Sequence, residues 1–291
     1  MEIASLIDES WPLRLMNVLD SKYSGKGVKV AVLDSGLNLD HPDFRKDHIV
    51  VKNFIPSESS AKDLFGHGTH CAGLIAGCQN PGNSARYGIA PDCNLYVGKI
   101  VNQKGVANSQ NLIEGVNWAL ENDCKVILIS LGLRSDMKSV YSKVFNELAQ
   151  KALSQNTIIV APVGNHSDRS LARKSPISHP GNCPNVFSVT AIDCDAQIYN
   201  HANTDVFKES DEIQICAPGV DVNSSWHEQP AYLHKSGTSV AAALAAGVLA
   251  LWFEAYPSHD AKDIIKKAKQ NAKKVDTQKD IGAGIIQAPI V

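Results

Sequence analysis

The stretch from Gly237 to Gly247, GTSVAAALAAG, decides how this chain folds and where its chemistry lies. It opens the longest apolar run of the sequence, the 14 residues from Val240 to Phe253, which predicts a helix buried in the core. This run is shorter than the roughly 20 residues that a membrane-spanning helix needs. Ser239 lies at the first turn of the predicted helix, where backbone N–H groups stabilise negative charge. Its hydroxyl is therefore a candidate nucleophile, provided that a base can reach it.

Two earlier segments contain residues that could activate this hydroxyl. The run from Val28 to Leu33 predicts a buried strand, and Asp34 follows it at a Ser-Gly turn. His67 lies between two glycines in GHGTHCAGLIAG, residues 66–77, before a helix of small residues. Acid, histidine and serine thus occur in the chain order of a subtilisin-type triad, which differs from the orders found in chymotrypsin and in the α/β-hydrolases.

Over nearly its whole length the sequence resembles the subtilisin-like serine proteases, or subtilases. The motifs that carry this resemblance are DSG at 34–36, HPD at 41–43, GHGTHCAG at 66–73, SLG at 130–132, GN at 164–165, APG at 217–219, GTS at 237–239 and GAGIIQA at 282–288. Cys71 directly after Gly-Thr-His is closest in style to the proteinase K and thermitase branches. Each motif alone is weak, but their order and spacing together are specific.

The resemblance implies a role for four residues. Ser239 would be the nucleophile, His67 the general base and Asp34 the carboxylate that orients the imidazole. Asn165 would donate from its side-chain amide to the oxyanion of the tetrahedral intermediate, together with the Ser239 backbone N–H. Taken singly, each residue has a plainer interpretation as a turn, loop or cap residue.

Strands and helices alternate along the chain. The predicted strands cover 28–33, 94–101, 125–131, 157–163, 185–192 and 213–216, and the predicted helices cover 67–77, 109–121, 138–154, 239–255 and 260–272. This alternation predicts an α/β fold with a mostly parallel central sheet and helices on both faces, which is the three-layer subtilisin-like fold. We expect a single catalytic domain over residues 1–291, with Asp34 and Asn165 at the carboxyl rim of the sheet.

In the family, an extended peptide substrate adds as a strand between two protein segments. The matching segments here are Gly105-Val106-Ala107 and Ser130-Leu131-Gly132. The resemblance places Pro162, Gly164 and Ser178 around the primary specificity pocket. Pro162 interrupts the usual run of small residues, so subsite preferences cannot be copied from relatives. The alternative is that these are only loop and core positions.

The chemistry requires no cofactor, but the resemblance suggests a structural calcium ion. Asp43 matches a carboxylate that binds this ion in many subtilases, and Asn80 lies in the partner loop. Oxygen-rich loops suit calcium. However, the loop has no carboxylate, and Asp43 could instead be a helix cap or a turn residue.

Charge and cysteine content bear on partners and compartment. The net charge of −2 offers no broad basic field, so we expect binding neither to nucleic acid nor to a membrane. The seven cysteines are odd in number and contain no C-x-x-C pair, which favours reduced thiols in a cytoplasm. The start, MEIASLIDESW, lacks the basic region of a secretory signal, although a processed form could be secreted.

The sequence therefore predicts a serine endopeptidase that acts on peptide or protein substrates. Only 33 residues precede Asp34, so we expect no prodomain and a limited-processing or intracellular enzyme. Its activity could be restrained by an inhibitory or substrate-presenting partner. Two alternatives remain open at this point: a peptide ligase or macrocyclase that uses the same acyl-enzyme, and a non-catalytic peptide-binding module.

Overall fold

A parallel sheet forms the middle layer of the fold. The computed structural model describes residues 9–78, 85–132, 141–206, 213–275 and 280–290. Within these ranges the strands of the sheet are β1 (Lys29–Asp34), β2 (Ile49–Asn53), β3 (Asn94–Lys99), β4 (Val126–Ile129), β5 (Ile158–Pro162), β6 (Phe187–Ile192) and β7 (Ile215–Pro218). They lie in the order β2-β3-β1-β4-β5-β6-β7, and every neighbouring pair is parallel.

Helices cover both faces of this sheet. They are α1 (Trp11–Leu15), α2 (His67–Ala76), α3 (Ser109–Glu121), α4 (Lys143–Ser154), α5 (Thr238–Ala255) and α6 (Ala261–Gln270). Because successive strand residues point to opposite faces, Val30 and Val32 pack in the core that contains α2, α5 and α6. Ala31 and Leu33 pack in the other core, with α3 and α4. This is the predicted three-layer α/β fold.

Helix α5 is the central helix, as its sequence predicts. All residues from Thr238 to Phe253 are buried, which suits a helix that is apolar on every side. The helix has 18 residues and passes a test for membrane-spanning helices by length and composition, but 89% of these residues are buried inside the fold. In this structure α5 is therefore a core helix.

The strand order brings the carboxyl end of β1 to a switch point. β1 and its neighbour β4 continue to opposite sides of the sheet, β1 to β2 and β4 to β5, and Asp34 is the last residue of β1 at this point. The connection 101–107 follows β3 and the segment 130–132 follows β4. The two predicted substrate segments thus flank Asp34.

Some elements differ from the sequence prediction. α4 begins at Lys143 rather than at 138, because the Ser142 hydroxyl caps the helix by accepting from the Phe145 N–H; residues 138–140 lie outside the described ranges. The short edge strand β2 was missed, and so was the antiparallel hairpin of β8 (Val222–Ser225) and β9 (Tyr232–Lys235). This hairpin supports α2, since the Ser224 and Ser225 hydroxyls donate to backbone carbonyls of that helix.

Candidate active site

Asp34 is the buried last residue of β1. Its side chain is 1% exposed, and its Oδ1 accepts a hydrogen bond from the Ser35 backbone N–H at 2.7 Å. Its Oδ2 lies 2.8 Å from His67 Nδ1. The carboxylate therefore faces the imidazole with one oxygen while the backbone fixes the other.

His67 is the first residue of α2 and connects the carboxylate to the serine. Its Nε2 lies 3.0 Å from Ser239 Oγ. With Nδ1–H donating to Asp34, Nε2 is the nitrogen that accepts from the hydroxyl. The preceding Gly66 has φ of 95°, and a Cβ there would come within 2.4 Å of the Trp226 ring. Only glycine fits this turn, which places His67 at the start of α2 beside Asp34.

Burial and charge oppose each other at the imidazole. Burial, the largest single influence, lowers the pKa of His67 by disfavouring its charged form, but the adjacent Asp34 carboxylate and Cys71 together outweigh it. The pKa of His67 is thereby raised well above its ordinary value of 6.5. Cys71 lies against the ring, with its Sγ 3.9 and 4.0 Å from the two ring nitrogens.

Ser239 and Asn165 face a common space at the start of α5. Asn165 Oδ1 accepts from the Thr238 N–H at 2.9 Å and from the Thr238 hydroxyl at 3.0 Å. A Cβ placed on Gly237 would lie 3.3 Å from Ser239 Oγ and 3.5 Å from Asn165 Nδ2. The amide NH₂ of Asn165 therefore points to the space beside the nucleophile, where an oxyanion donor is needed.

The structure brings together part of the predicted specificity pocket. A side chain on Gly132 would come within 3.2 Å of Ser178 Cβ, and one on Gly164 within 2.2 Å of Ser178 Oγ. Gly164 also has φ of 101°, so glycine is required there. Gly132, Gly164 and Ser178 therefore lie next to one another, and Pro162 is the last residue of β5.

The other predicted substrate residues lie on the two flanking segments. Gly105, Val106 and Ala107 belong to a tight turn in which the Asn102 N–H donates to the Val106 carbonyl, and Val106 is 59% exposed. Ser130 is buried and its hydroxyl has no hydrogen-bond partner among the described residues, whereas Leu131 is half-buried. The role of these two segments in binding a peptide substrate stays a prediction.

Among the described residues, the side-chain partners of the Asp43 carboxylate are phenols, and the predicted calcium site stays a prediction. Asp43 is 2% exposed, and both its carboxylate oxygens already accept hydrogen bonds from phenols: Oδ2 from Tyr87 at 2.5 Å and Oδ1 from Tyr232 at 3.1 Å. Asn80, the other predicted ligand, lies outside the described residues. Where side chains are described, the one cluster of at least three His, Cys, Asp or Glu ligand atoms is Asp34, His67 and Cys71, which coincides with the site above.

One buried residue of this region was missed by sequence reasoning. Asp63 is fully buried and accepts hydrogen bonds from both the Ser35 hydroxyl and the Gly66 N–H. The available signal was a lone carboxylate four residues before His67, in DLFGH. A short turn with one acid is too common to single out from sequence.

Known proteins match this chain over most of its length. A family model described as the subtilase family matches residues 25–284. An intracellular serine protease of Paenibacillus polymyxa is 33% identical over 231 residues, which cover 78% of this chain and 67% of that protein. A thermostable alkaline protease of Halalkalibacterium halodurans is 33% identical over 265 residues, or 91% of this chain and 67% of that protein.

A solved structure confirms the fold separately. The crystal structure of a cold-adapted subtilisin-like serine proteinase superposes with a TM-score of 0.77 at 24% identity, covering 92% of this chain and 91% of that one. The matches do not assign a branch, so the likeness to proteinase K and thermitase stays a prediction. Since family, relatives and fold agree with the motifs, the chain belongs to the subtilase family and is a subtilisin-like serine endopeptidase.

Proposed function

We propose that Ser239, His67 and Asp34 carry the hydrolysis of a peptide bond through an acyl-enzyme. The Ser239 oxygen attacks the scissile carbonyl carbon while His67 Nε2 takes the hydroxyl proton. When the C–N bond breaks, His67 returns that proton to the leaving amine. Water then attacks the ester in the same way and frees Ser239. The observation that carries this proposal is the unbroken line of contacts from Asp34 Oδ2 through His67 to Ser239 Oγ, at 2.8 and 3.0 Å.

The negative charge of the intermediate would be stabilised by Asn165 and by the start of α5. The Asn165 amide oxygen is engaged by Thr238, which fixes the orientation of its NH₂ group. The Ser239 backbone N–H lies in the first turn of α5, where it has no partner four residues earlier in the helix. Both donors are in place before the charge forms, and such preorganisation lowers the barrier.

The substrate would be an extended peptide lying between the segments 105–107 and 130–132. The fold supports this placement, because these segments follow the two strands on either side of β1 and its Asp34. Gly132, Gly164 and Ser178 would line the pocket for the side chain next to the cleaved bond. Backbone hydrogen bonds would set the register of the peptide, and the pocket would select among side chains.

We further propose one catalytic domain that acts in a reducing compartment. None of the seven cysteines forms a disulfide; five of them are buried, and Cys194 is exposed. An exposed free thiol is protected from oxidation in a compartment where glutathione keeps thiols reduced. A limited-processing role, and control by an inhibitory or substrate-presenting partner, are parts of this proposal that only activity data can test.

No metal is needed for the proposed chemistry, and we propose that phenols replace a cation at Asp43. Tyr87 and Tyr232 already saturate one lone pair on each carboxylate oxygen. Burial and the neighbouring Asp43 raise the pKa of Tyr232 to about 12, so this phenol keeps its proton and remains a donor. The same two causes raise the pKa of Tyr87 above its usual range.

The test is product analysis with the purified full chain. Casein and a defined peptide library are incubated with the wild type and with Ser239→Ala, and products are identified by mass spectrometry. Free new termini that depend on Ser239 support the endopeptidase. Ring closure or transfer to an amine would instead support the ligase alternative, and rapid indiscriminate digestion of casein would exclude narrow specificity.

The non-catalytic alternative makes a different prediction. A peptide-binding module would bind library peptides and leave them intact, and Ser239→Ala would bind them equally well. The aligned contacts of Asp34, His67 and Ser239 do not favour it, because a binding module has no need for a base within hydrogen-bond distance of a serine.

A further inference from the structure

Asp63 is a buried carboxylate that the proposed mechanism does not use. Its side chain is fully buried, and it accepts five hydrogen bonds. Three of them come from the turn that starts α2: the Gly66 N–H at 2.7 Å, the Thr69 N–H at 2.8 Å and the Thr69 hydroxyl at 2.7 Å. The Phe65 N–H adds a fourth at 3.0 Å. Asp63 thus fixes the backbone on both sides of His67.

The fifth hydrogen bond connects Asp63 to the other half of the Asp34–His67 pair. The Ser35 hydroxyl donates to Asp63 Oδ1 at 2.9 Å and accepts from the Gly68 N–H at 2.8 Å. The Ser35 backbone N–H donates to Asp34 Oδ1. A single carboxylate therefore holds the Asp34 turn and the His67 turn at one separation, through Ser35 on one side and backbone donors on the other.

A buried cation supports the same two segments. Lys99 is fully buried, and its Nζ donates to the Ser35 carbonyl at 2.6 Å and to the Lys62 carbonyl at 3.1 Å. It also pairs with Glu58 Oε2 at 3.1 Å. Lys99 lies directly beside Asp34 in the β1–β3 register. One buried side chain thus binds a backbone carbonyl next to Asp34 and a backbone carbonyl next to Asp63.

We propose that Asp63 is a positioning residue for the catalytic pair Asp34 and His67. The inference rests on the proposed roles of those two residues. Proton transfer requires the contacts at 2.8 and 3.0 Å, and a displacement of about 1 Å can cost on the order of 10²-fold in rate. Asp63 touches neither the substrate nor the reacting atoms, so its effect would pass through the position of the two turns.

Three variants test this role. In Asp63→Asn, one oxygen can still accept from Ser35 and Gly66, but the new NH₂ group faces the two donors of Thr69. Ser35→Ala removes the bridge to Asp63 without changing any charge. Ser35→Thr keeps the hydroxyl and is the matched conservative variant. The control is Asp260→Asn, which alters the carboxylate cap of α6, on a helix that takes no part in the site.

Measured below the melting temperature of each variant, kcat of Asp63→Asn should fall at least tenfold while KM changes less than threefold. Ser35→Ala should lower kcat in the same way, and Ser35→Thr should restore it. Because Ser35→Ala removes no charge, a downward shift in the acid limb of its kcat/KM profile would report a weakened Asp34–His67 contact. Asp260→Asn should leave all these quantities unchanged.

A purely structural role gives a different result. The inference would be overturned if Asp63→Asn or Ser35→Ala lowered the melting temperature but left kcat within twofold of the wild type and the midpoint pH of the acid limb unchanged. If Asp63→Asn does not fold, the pair Ser35→Ala and Ser35→Thr decides alone. An inactive wild type would instead contradict the proposed function, so the two failures are distinguishable.

Discussion

Two buried aspartates near the end of β1 have the same chemistry and different partners. Asp34 is 1% exposed and faces the imidazole of His67, whereas Asp43 is 2% exposed and accepts from the phenols of Tyr87 and Tyr232. Burial alone would penalise both charges equally. The partner therefore decides what each carboxylate can do.

The difference lies in how readily the partner exchanges a proton. An imidazole ordinarily titrates near neutrality, so a carboxylate beside it changes the pKa of a group that gains and loses its proton near pH 7. Partial burial and the neighbouring Asp43 carboxylate raise the pKa of Tyr232 to about 12, so this phenol keeps its proton at neutral pH. The Asp34 region can thus perform acid–base chemistry, whereas the phenol contacts of Asp43 connect separate parts of the chain.

The largest effect should follow from removing the imidazole. We expect His67→Ala to lower kcat by about 10⁶-fold, the size of loss known for the corresponding change in subtilisin, a relative. Asp34→Asn should cost less, about 10⁴-fold, because the base remains but loses its orientation. Steady-state kinetics on a chromogenic peptide measures both. In contrast, Asp43→Asn should leave kcat within a few-fold of the wild type, and a loss as large as that of Asp34→Asn would contradict the comparison.

The next effect concerns the oxyanion. Asn165→Ala removes one donor from the space beside Ser239, and we expect kcat to fall by about 10²–10³-fold, the range known for this donor in subtilisin. KM should change little, because the donor acts on charge that develops in the transition state. Asn165→Asp is the matched variant of equal size. If it retained full activity, the proposed donor role would be wrong.

A smaller effect is expected on the pH dependence of kcat/KM. The base must be neutral to accept a proton, and the pKa of His67 is raised by Asp34 above 6.5. The kcat/KM value should therefore rise with pH and reach half its maximum above pH 6.5. In Asp34→Asn the residual activity should reach half-maximum at a lower pH, because the carboxylate that raised the pKa is gone. An unchanged midpoint would show that Asp34 does not tune His67.

The smallest effect on activity should come from the phenols. Tyr87→Phe leaves Asp43 with one donor fewer in a buried place, so the free energy of unfolding should fall by about 1–3 kcal/mol with kcat/KM unchanged. Denaturant unfolding of the variant and the wild type gives this value. An excess of calcium should leave the wild-type melting temperature as it is in a chelator, since a cation bound to the native state would raise it.

The elements that could be predicted from the sequence are those whose buried residues are apolar. β1 is a run of β-branched and aliphatic residues, and α5 is apolar on every side, so both positions of the triad they carry could be foreseen. The edge strand β2 is only half-buried, with an alternating pattern over five residues, and gave no clear signal. β8 is buried but contains two serines that bond to α2, so its polarity conceals its burial.

The site was predictable only where side-chain identity matters. A nucleophile, a base and an amide donor are specific residue types, which motifs record. Three of the hydrogen bonds to Asp63 come from backbone N–H groups, which any residue provides, so no sequence pattern marks these partners. The phenols at Asp43 come from Tyr87 and Tyr232, which are far apart in the chain, and only the fold brings them to one carboxylate.

The most direct measurement is the rate at which a fluorophosphonate labels the full-length chain, with the modified residue identified by peptide mass mapping. We predict labelling on Ser239 at a rate that rises with pH as His67 loses its proton, and its loss in His67→Ala. Labelling of another residue, or an undiminished rate on Ser239 in His67→Ala, would contradict the claim that His67 activates this hydroxyl.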